Sequence, residues 1–124
     1  MFLNADISDS QAKEQLAECV KDCFDCQSVC LKTALYCLSM SDKYPIRQLL
    51  DCIEICQVNA DFMLRGSKLR NNLSEICALA CEKCGEYCSQ FDNDFQMRNC
   101  AEICIRTAES CSHAAQLQSN LFLS

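Results

Sequence analysis

The spacing of the cysteines restricts the fold of this chain more than any other sequence feature. Within groups, successive cysteines are three, four or seven residues apart, so their side chains share one face of a helix. A β-strand would need even steps, which this spacing does not provide. The fourteen cysteines are Cys19, Cys23, Cys26, Cys30, Cys37, Cys52, Cys56, Cys77, Cys81, Cys84, Cys88, Cys100, Cys104 and Cys111. With only two glycines and one proline for turns, the sequence predicts an all-α protein and excludes a small β-sandwich, a barrel or a loop-rich disulfide scaffold.

An internal repeat predicts the number and direction of the helices. The pattern C-x-x-x-C-x-x-C-x-x-x-C occurs at residues 19–30 and again at 77–88, and C-x-E-I-C occurs at 52–56 and 100–104. Each long cysteine run is followed by a shorter one, which indicates two helical hairpins with short connections. We expect a single domain over residues 1–124, an antiparallel up-down-up-down four-helix bundle with a cysteine-lined core. The expected helices span approximately residues 9–41, 45–65, 70–91 and 94–119.

Polar and turn-forming residues mark the expected helix ends. Ser8 is a suitable N-cap for the first helix. Pro45 fits the first turn of the second helix, and Gly66 fits just past its end. The segment 72–75, Asn-Leu-Ser-Glu, resembles a capping box near the start of the third helix.

Heptad-like spacing puts the cysteines on a seam that faces the bundle axis. The same seam also carries four polar residues, namely Thr33, Asn59, Ser74 and Thr107. A flanking stripe on the first helix carries ordinary hydrophobic residues, which we expect to hold the helices together at their sides. That stripe consists of Val20, Phe24, Leu31, Leu35 and Leu38.

Three explanations for a core of thiols lead to different functions. Cysteine packs as a small buried hydrophobe, but thiols alone fill a core less well than leucine or isoleucine. Disulfides within one helix are disfavoured, because β-carbons at i,i+3 and i,i+4 are about 5–6 Å apart and a disulfide needs about 3.5–4.5 Å. Metal binding accounts for the pattern best, since adjacent thiolates on four facing helices form a ladder of sulfur ligands. A zinc or cadmium thiolate buffer and a thiol redox protein stay open as alternatives.

The chemistry of the ligands favours Cu(I) over zinc. Thiolate-only surroundings select Cu(I), which can bridge adjacent sulfurs in two-coordinate sites. Zinc needs closed sets of four ligands, and the spacing shows no division of the cysteines into sets of four. One Cu(I) per thiolate also leaves a buried core neutral. We therefore predict a protein that stores copper by binding multiple Cu(I) ions through its core thiolates, roughly 10–14 per chain if neutralisation is near one-to-one.

Three methionines are candidates for extra ligands or for the entrance of copper. Met63 lies on the seam, at the position equivalent to Cys111 in the repeat. Met40 and Met97 fall at one end of the bundle, near both hairpin turns. Thioethers are soft, weak Cu(I) ligands, and methionine also fills gaps in cores, so both roles are open. The histidine, His113, is expected on the surface.

Charge and motifs exclude several other functions. The net charge is −6 without a basic stripe, so neither a nucleic acid nor a membrane surface is an expected partner. The N-terminus lacks the basic start and apolar run of a secretory signal, and we expect a cytoplasmic protein. Catalytic motifs are not found, so no enzymatic activity is expected. The apolar segment 121–123 could pack onto the bundle or onto a partner subunit.

The motifs resemble those of the four-helix-bundle copper storage proteins of the cytosolic type. The resemblance is carried by the runs at 19–30 and 77–88, by Cys52–Cys56 leading to Leu-Arg-Gly-Ser at 64–67, and by C-A-E-I-C at 100–104 leading to Cys111. It covers roughly residues 12–118. It implies a bundle whose inner cysteines bind many Cu(I) ions, assembly into a homotetramer, and a role in holding copper safely.

The chain departs from the family pattern at several positions. Asn59, Met63 and Thr107 stand where further cysteines are common in the family. Phe91 and Asn99 lie where the family often carries histidine near the mouth of the bundle. We therefore expect a lower copper capacity than in relatives richer in cysteine.

Overall fold

The protein folds into four α-helices in a computed structural model that describes residues 8–117. The helices are α1 (Asp9–Cys37), α2 (Ile46–Leu64), α3 (Arg70–Ser89) and α4 (Phe95–Ala115). Each helix packs against the one before and the one after it, and α4 returns against α1. The predicted all-α, up-down-up-down bundle is confirmed. The predicted end of the last helix at residue 119 and the apolar segment 121–123 lie outside the described residues.

The helix ends follow local backbone chemistry. The Ser8 side chain accepts a hydrogen bond from the Gln11 backbone N–H (3.1 Å), and the Gln11 side chain accepts one from the Ser8 backbone, which completes a capping box. Gly66 takes a left-handed conformation (φ 63°) after α2. Its N–H donates to Met63 O (3.1 Å) and the next N–H donates to Phe62 O (3.0 Å), which is a Schellman motif. The predicted cap at Ser8 and the predicted stop at Gly66 are therefore confirmed.

The third helix begins at Arg70, the first residue of its expected range, but three expected details of the helix ends differ in the structure. The expected capping box at 72–75 is not used, because α3 already begins at Arg70. Ser67 brings the chain into that helix, since its hydroxyl accepts from the Leu69 N–H (3.1 Å). The first helix ends at Cys37 rather than near residue 41, because the following residues form turns. Pro45 is the N-cap residue of α2 and lies just outside its first turn.

The core of the bundle is built mainly from sulfur. All fourteen cysteines are buried, and the large side chains that share the fully buried interior with them are few. The fully buried residues with larger side chains are Leu49, Met97, Leu117, Asn59, Thr33 and Thr107. The seam predicted from the spacing is thus the inner face of the bundle.

The flanking stripe on α1 does not hold the helices of one chain together. Val20 is the member that packs against the core. The expectation is wrong for the other four members, since Phe24, Leu31, Leu35 and Leu38 are exposed, the last two at 61 % and 69 % of their surface. Phe24 lines a groove beside Met63 and Leu64 of α2, whereas Leu31, Leu35 and Leu38 each expose more than half of their surface.

Aromatic residues close one end of the bundle. We call this the hairpin end, because the α1–α2 and α3–α4 connections both lie there. The Tyr44 and Phe91 rings stack with centroids 4.4 Å apart, and Tyr36 meets Tyr44 edge-on. The Tyr36 hydroxyl donates to Asp94 Oδ2 (2.5 Å), and Asp94 also caps α4 by accepting from the Met97 N–H (3.2 Å). These contacts join the two hairpins of the fold.

Residues 8–117 include no helix with both the length and the apolar character needed to cross a membrane.

Candidate metal centre

The thiols form one connected array along the bundle axis. All fourteen cysteines are free and buried, and neighbouring sulfur atoms on different helices lie 3.6–3.9 Å apart. The array runs from the hairpin end to the opposite end, which we call the terminal end and which holds Ser8, Gly66 and Leu117. Four helices with one inward seam each therefore bring together all the cysteines that the spacing placed on that seam.

At the terminal end, three thiols lie beside a polar pair. Cys111 Sγ is 3.7 Å from both Cys19 Sγ and Cys23 Sγ. The Asn59 amide donates to Cys23 Sγ and to Cys111 Sγ, each at 3.5 Å. The Ser74 hydroxyl in turn donates to Asn59 Oδ1 (3.0 Å). The Asn59 amide is therefore a buried hydrogen-bond donor to sulfur, at the level of the bundle where α2 carries no further cysteine.

In the middle of the bundle, the thiols group into sets of four. One set consists of Cys26, Cys52, Cys56 and Cys81, and the other of Cys26, Cys30, Cys52 and Cys104; all sulfurs of a set lie within 4.8 Å of one another. The two sets overlap and include six of the fourteen cysteines, so the array stays continuous while local sets of four exist within it. Position along the sequence does not reveal these local sets, because it does not show which thiols on different helices share one level of the bundle. A set of three, formed by Cys23, Cys56 and Cys77, continues the array toward the terminal end.

At the hairpin end, the array includes a thioether. Cys30 Sγ lies 3.8 Å from Cys100 Sγ, and the Cys37 thiol donates to Met97 Sδ (3.8 Å). Cys84 and Cys88 are buried in the same core. Burial raises the pKa of the Cys37 thiol to about 11, so this group is a neutral thiol at neutral pH.

Electrostatic coupling keeps the metal-free array from ionising completely. Hydrogen bonds from neighbouring thiols, Cys104 foremost, lower the pKa of Cys52. Hydrogen bonds with Cys100 and other neighbours raise the pKa of Cys104. One thiolate is thus stabilised by thiols that must themselves stay protonated, and burial penalises every further negative charge. Full ionisation of the array needs cations inside the core.

The three methionines differ in their positions. Met97 is fully buried in contact with the thiol array. Met63 is 6 % exposed and lines a groove at the terminal end with Leu16, Val20 and Leu64. Met40 is 42 % exposed and follows α1 at the hairpin end. His113 is exposed, as expected.

Sequence reasoning placed Asn59 and Ser74 on the seam but did not pair them. The available signal was that Asn59 follows the last cysteine of the second helix by three residues and Ser74 precedes the first cysteine of the third helix by three, on two consecutive antiparallel helices. Their hydrogen bond shows that both lie at one level of the bundle. Thr107 interrupts the cysteine ladder of α4 differently, because its hydroxyl donates back to Ile103 O (2.8 Å).

Comparisons with known proteins agree with this geometry. The model of a family described as copper storage protein (Csp) matches residues 11–116. The Cu(I)-bound copper storage protein BsCsp3 has a similar structure, with a TM-score of 0.75, 30 % identity, and coverage of 82 % of this chain and 98 % of that chain.

Two further solved structures are similar. The Nmul_A1745 protein from Nitrosospira multiformis has a TM-score of 0.78 at 32 % identity, covering 86 % of this chain and 99 % of that one. A cytosolic copper storage protein from Streptomyces lividans, described in copper loading with five coppers, has a TM-score of 0.68 at 25 % identity, covering 91 % of this chain and 96 % of that one. The comparison with curated proteins finds no match.

Proposed function

Because this chain belongs to the copper storage protein family and stores copper as multiple Cu(I) ions, we propose that its fourteen core thiols are the ligands. The observation that carries the proposal is the connected array of buried thiols, drawn from all four helices. Soft thiolates select Cu(I), and the bundle keeps water and hard ligands away from them. The protein thus acts by holding copper and not by converting a substrate.

Charge balance sets the proposed capacity. Fourteen thiolates carry fourteen negative charges, which a buried core tolerates only when cations neutralise them. Near one-to-one neutralisation corresponds to roughly 10–14 Cu(I) ions per chain. The polar residues Asn59, Ser74 and Thr107 occupy seam positions without adding a thiolate, and therefore limit the number of ions.

The capacity is tested by titrating the reduced, metal-free protein with Cu(I) in the presence of a competing Cu(I) chelator. We expect roughly 10–14 ions per chain to be withheld from the chelator, following near one-to-one neutralisation. A Met40→Leu variant serves as a control that keeps every thiol and should bind the same number. Retention of one or two ions would contradict storage by the array.

Methionines at the hairpin end are proposed to bring copper to the thiols. Met40 is exposed there and Met97 contacts the Cys37 thiol, so two thioethers lead from the surface toward the array. Replacing Met97 with leucine keeps the volume and removes the sulfur. We expect the variant to load copper more slowly with little loss of capacity, as followed by stopped-flow absorbance. Met63→Leu is the comparison at the terminal end.

Met63 is proposed as an additional copper ligand at the terminal end. A lower final copper count in the Met63→Leu variant would support that role.

Assembly into a homotetramer is proposed from the exposed apolar surface. Leu31 and Leu35 on α1 and Leu38 at its C-cap are exposed, and so are Ile76 and Leu79 on α3. Such faces are stabilised by burial against other subunits. Sedimentation equilibrium should give four times the chain mass of 14.0 kDa, and Leu35→Glu should lower it. The control Lys32→Glu changes an exposed charge on the same helix and should leave the mass unchanged.

A cytoplasmic location is proposed because free thiols persist in a reducing compartment, and because the Streptomyces lividans neighbour is described as cytosolic. Cell fractionation followed by immunoblotting tests this, and recovery of the protein outside the cytoplasmic fraction would contradict it.

A further inference from the structure

The two sets of four thiols in the middle of the bundle share two members. Cys26 and Cys52 belong to both sets, and their sulfurs are 3.6 Å apart. Cys56 and Cys81 complete the first set, with Cys81 Sγ 3.6 Å from Cys52 Sγ and 3.8 Å from Cys56 Sγ. The two sets therefore form a group of six thiols joined by two common sulfurs.

The second set repeats this geometry on the other side of the shared pair. Cys104 Sγ lies 3.9 Å from Cys26 Sγ and 3.7 Å from Cys30 Sγ, and Cys26 Sγ is 3.9 Å from Cys30 Sγ. A tetrahedral zinc ion with Zn–S bonds of about 2.3 Å sits among sulfurs separated by about 3.8 Å. The six distances given above are 3.6–3.9 Å, close to that edge length, and the other pairs of each set lie within 4.8 Å, so small side-chain adjustments let each set enclose one tetrahedral ion.

Sharing of the two sulfurs also reduces the charge left in the core. A single Zn(II) bound by four thiolates carries a net charge of −2, which is costly to bury. Two Zn(II) ions bound by six thiolates carry −2 together, or −1 for each ion. Sharing therefore halves the uncompensated charge for each ion, and the arrangement suits a pair of divalent ions better than isolated ones.

We propose that the copper-free protein binds two Zn(II) ions in this six-thiol group, with Cys26 and Cys52 as bridging ligands. Each ion takes two further thiolates, from Cys56 and Cys81 on one side and from Cys30 and Cys104 on the other. Zinc holds these thiolates in the absence of copper and keeps them from oxidation. The proposal does not depend on the number of copper ions stored.

Copper replaces zinc because it leaves a neutral core. Six Cu(I) ions neutralise the six thiolates, and two Zn(II) ions leave, so both sides of the exchange carry a net charge of +4. Zinc binding to the thiols releases the protons of the ligands, whereas the later exchange for Cu(I) at these six thiolates releases none. Thiolate softness drives the exchange toward Cu(I).

The test adds Co(II) or Zn(II), in separate experiments, to the reduced, copper-free full chain under anaerobic conditions. Co(II) is the spectroscopic probe, and native mass spectrometry counts the bound Zn(II) ions. We expect two ions per chain and the intense visible bands of tetrahedral cobalt bound by four thiolates. Subsequent addition of Cu(I) should release two Zn(II) ions to a zinc indicator. That release should take place without proton uptake or loss at the six-thiol group.

Serine variants separate this group from the rest of the array. Cys81→Ser and Cys104→Ser each remove a terminal ligand from one set, and each should reduce the number of tightly held ions from two to one. Cys26→Ser removes a ligand from both sets and should abolish the four-thiolate spectrum. The matched control is Cys88→Ser, equally buried but outside both sets, which should lower the copper count while leaving two Zn(II) ions.

The proposal is overturned if the chain retains no Zn(II) or Co(II), or if Cys81→Ser and Cys104→Ser still hold two ions with the four-thiolate spectrum. Circular dichroism confirms that each variant keeps its helices before its metal count is compared. A failure of zinc binding with a normal copper count would refute the six-thiol zinc site alone. A low copper count with normal zinc binding would refute the storage proposal alone.

Discussion

Asn59 is a carboxamide in a core otherwise filled mainly by sulfur, and its contribution to stability passes through Ser74. The Ser74 hydroxyl donates to Asn59 Oδ1, and both side chains are buried. Removing Asn59 leaves a buried hydroxyl without its acceptor, which costs about 1–3 kcal/mol. We expect Asn59→Ala to destabilise the reduced, metal-free protein by that amount, measured by urea unfolding.

A double-mutant cycle shows whether the two residues act together. Because Ser74→Ala removes the hydroxyl that Asn59→Ala would orphan, the double variant should be more stable than the sum predicts, by about 0.5–3 kcal/mol. The control cycle pairs Asn59→Ala with Ser89→Ala, whose hydroxyl is exposed and donates locally to Glu86 O. Additive effects in both cycles would contradict the coupling.

Asn59 also limits the copper capacity at the terminal end. Its amide nitrogen lies 3.5 Å from both Cys23 Sγ and Cys111 Sγ, so a thiol here would join an existing set. We expect Asn59→Cys to bind about one more Cu(I) per chain, because each added thiolate admits one neutralising cation. Copper titration against a chelator measures the count, and an unchanged count would show that this level of the bundle takes no further ion.

At the residue scale, the sequence predicts which thiols face the axis but not which of them meet. Steps of three and four put Cys26 and Cys52 on inward seams of different helices. Their separation of 3.6 Å depends on how far α2 slides along α1, which the turn between the helices and the side-chain packing determine. Spacing along the chain carries no information on that offset, so the sets of four could not be read from it.

Gly85 determines how closely α3 and α4 approach. A β-carbon at this position would lie 2.9 Å from Ile105 Cγ1 and 3.4 Å from Ala101 O. We expect Gly85→Leu to destabilise the bundle by about 1–3 kcal/mol, because the larger side chain forces the two helices apart. Chemical denaturation compares it with Glu86→Leu, which introduces the same side chain at the neighbouring exposed position. Equal stability of the two variants would contradict the close contact.

The Tyr36–Asp94 hydrogen bond links α1 to the start of α4 and gives the fold a pH-dependent contact. It raises the pKa of Tyr36 from 10.0 to about 12 and lowers the pKa of Asp94 below 3.8. A raised tyrosine pKa means that its stabilisation is complete below pH 10 and is lost as the pH rises toward 12. The lowered pKa of Asp94 means that its stabilisation is present above pH 3.8 and is lost as the pH falls below that value.

The variant Tyr36→Phe tests this contact, because it keeps the ring and removes the hydroxyl. We expect the wild type to be more stable than the variant between these limits, and the difference in melting temperature to vanish above pH 12. Comparing the two proteins at each pH cancels the ionisation of the cysteines, which both share. A difference that is independent of pH would contradict the assignment.

At the scale of the helices, the spacing of the cysteines predicted the four elements, and local turn chemistry determined where each helix begins and ends. Ser8 and Gly66 were predictable because a capping hydroxyl and a left-handed glycine act on their own helix. The expected range for the third helix already began at residue 70, but the capping segment expected at 72–75 is not used, because Ser67 directs the chain into the helix at Arg70. Two competing signals only a few residues apart are resolved by the preceding turn.

At the scale of the whole molecule, the apolar stripe on α1 shows what a single-chain pattern leaves undetermined. A helix with hydrophobic residues on two faces can bury the second face inside its own chain or against another. Here the thiols take the inner face, so Leu31, Leu35 and Leu38 stay on the outside of the bundle. The amphipathic pattern alone predicts that these leucines are buried, but it does not identify the surface that covers them.

Copper loading should stabilise the whole bundle, because the ions bind the folded array and not the unfolded chain. Ligand at a thousand times its dissociation constant stabilises a protein by about 4 kcal/mol for each site, and this array offers many sites. We expect the loaded protein to melt at a much higher temperature than the reduced, metal-free protein, as measured by circular dichroism.

Removal of the copper by a strong chelator should return the melting temperature to the metal-free value. The variant Cys37→Ser keeps thirteen of the fourteen thiols and serves as a control, so it should retain nearly all of the copper-dependent increase. Equal melting temperatures with and without copper would mean that the ions bind outside the core. The stability of this fold is therefore linked to its cargo, since the cations that fill the bundle also remove the charge that its thiolates would otherwise bury.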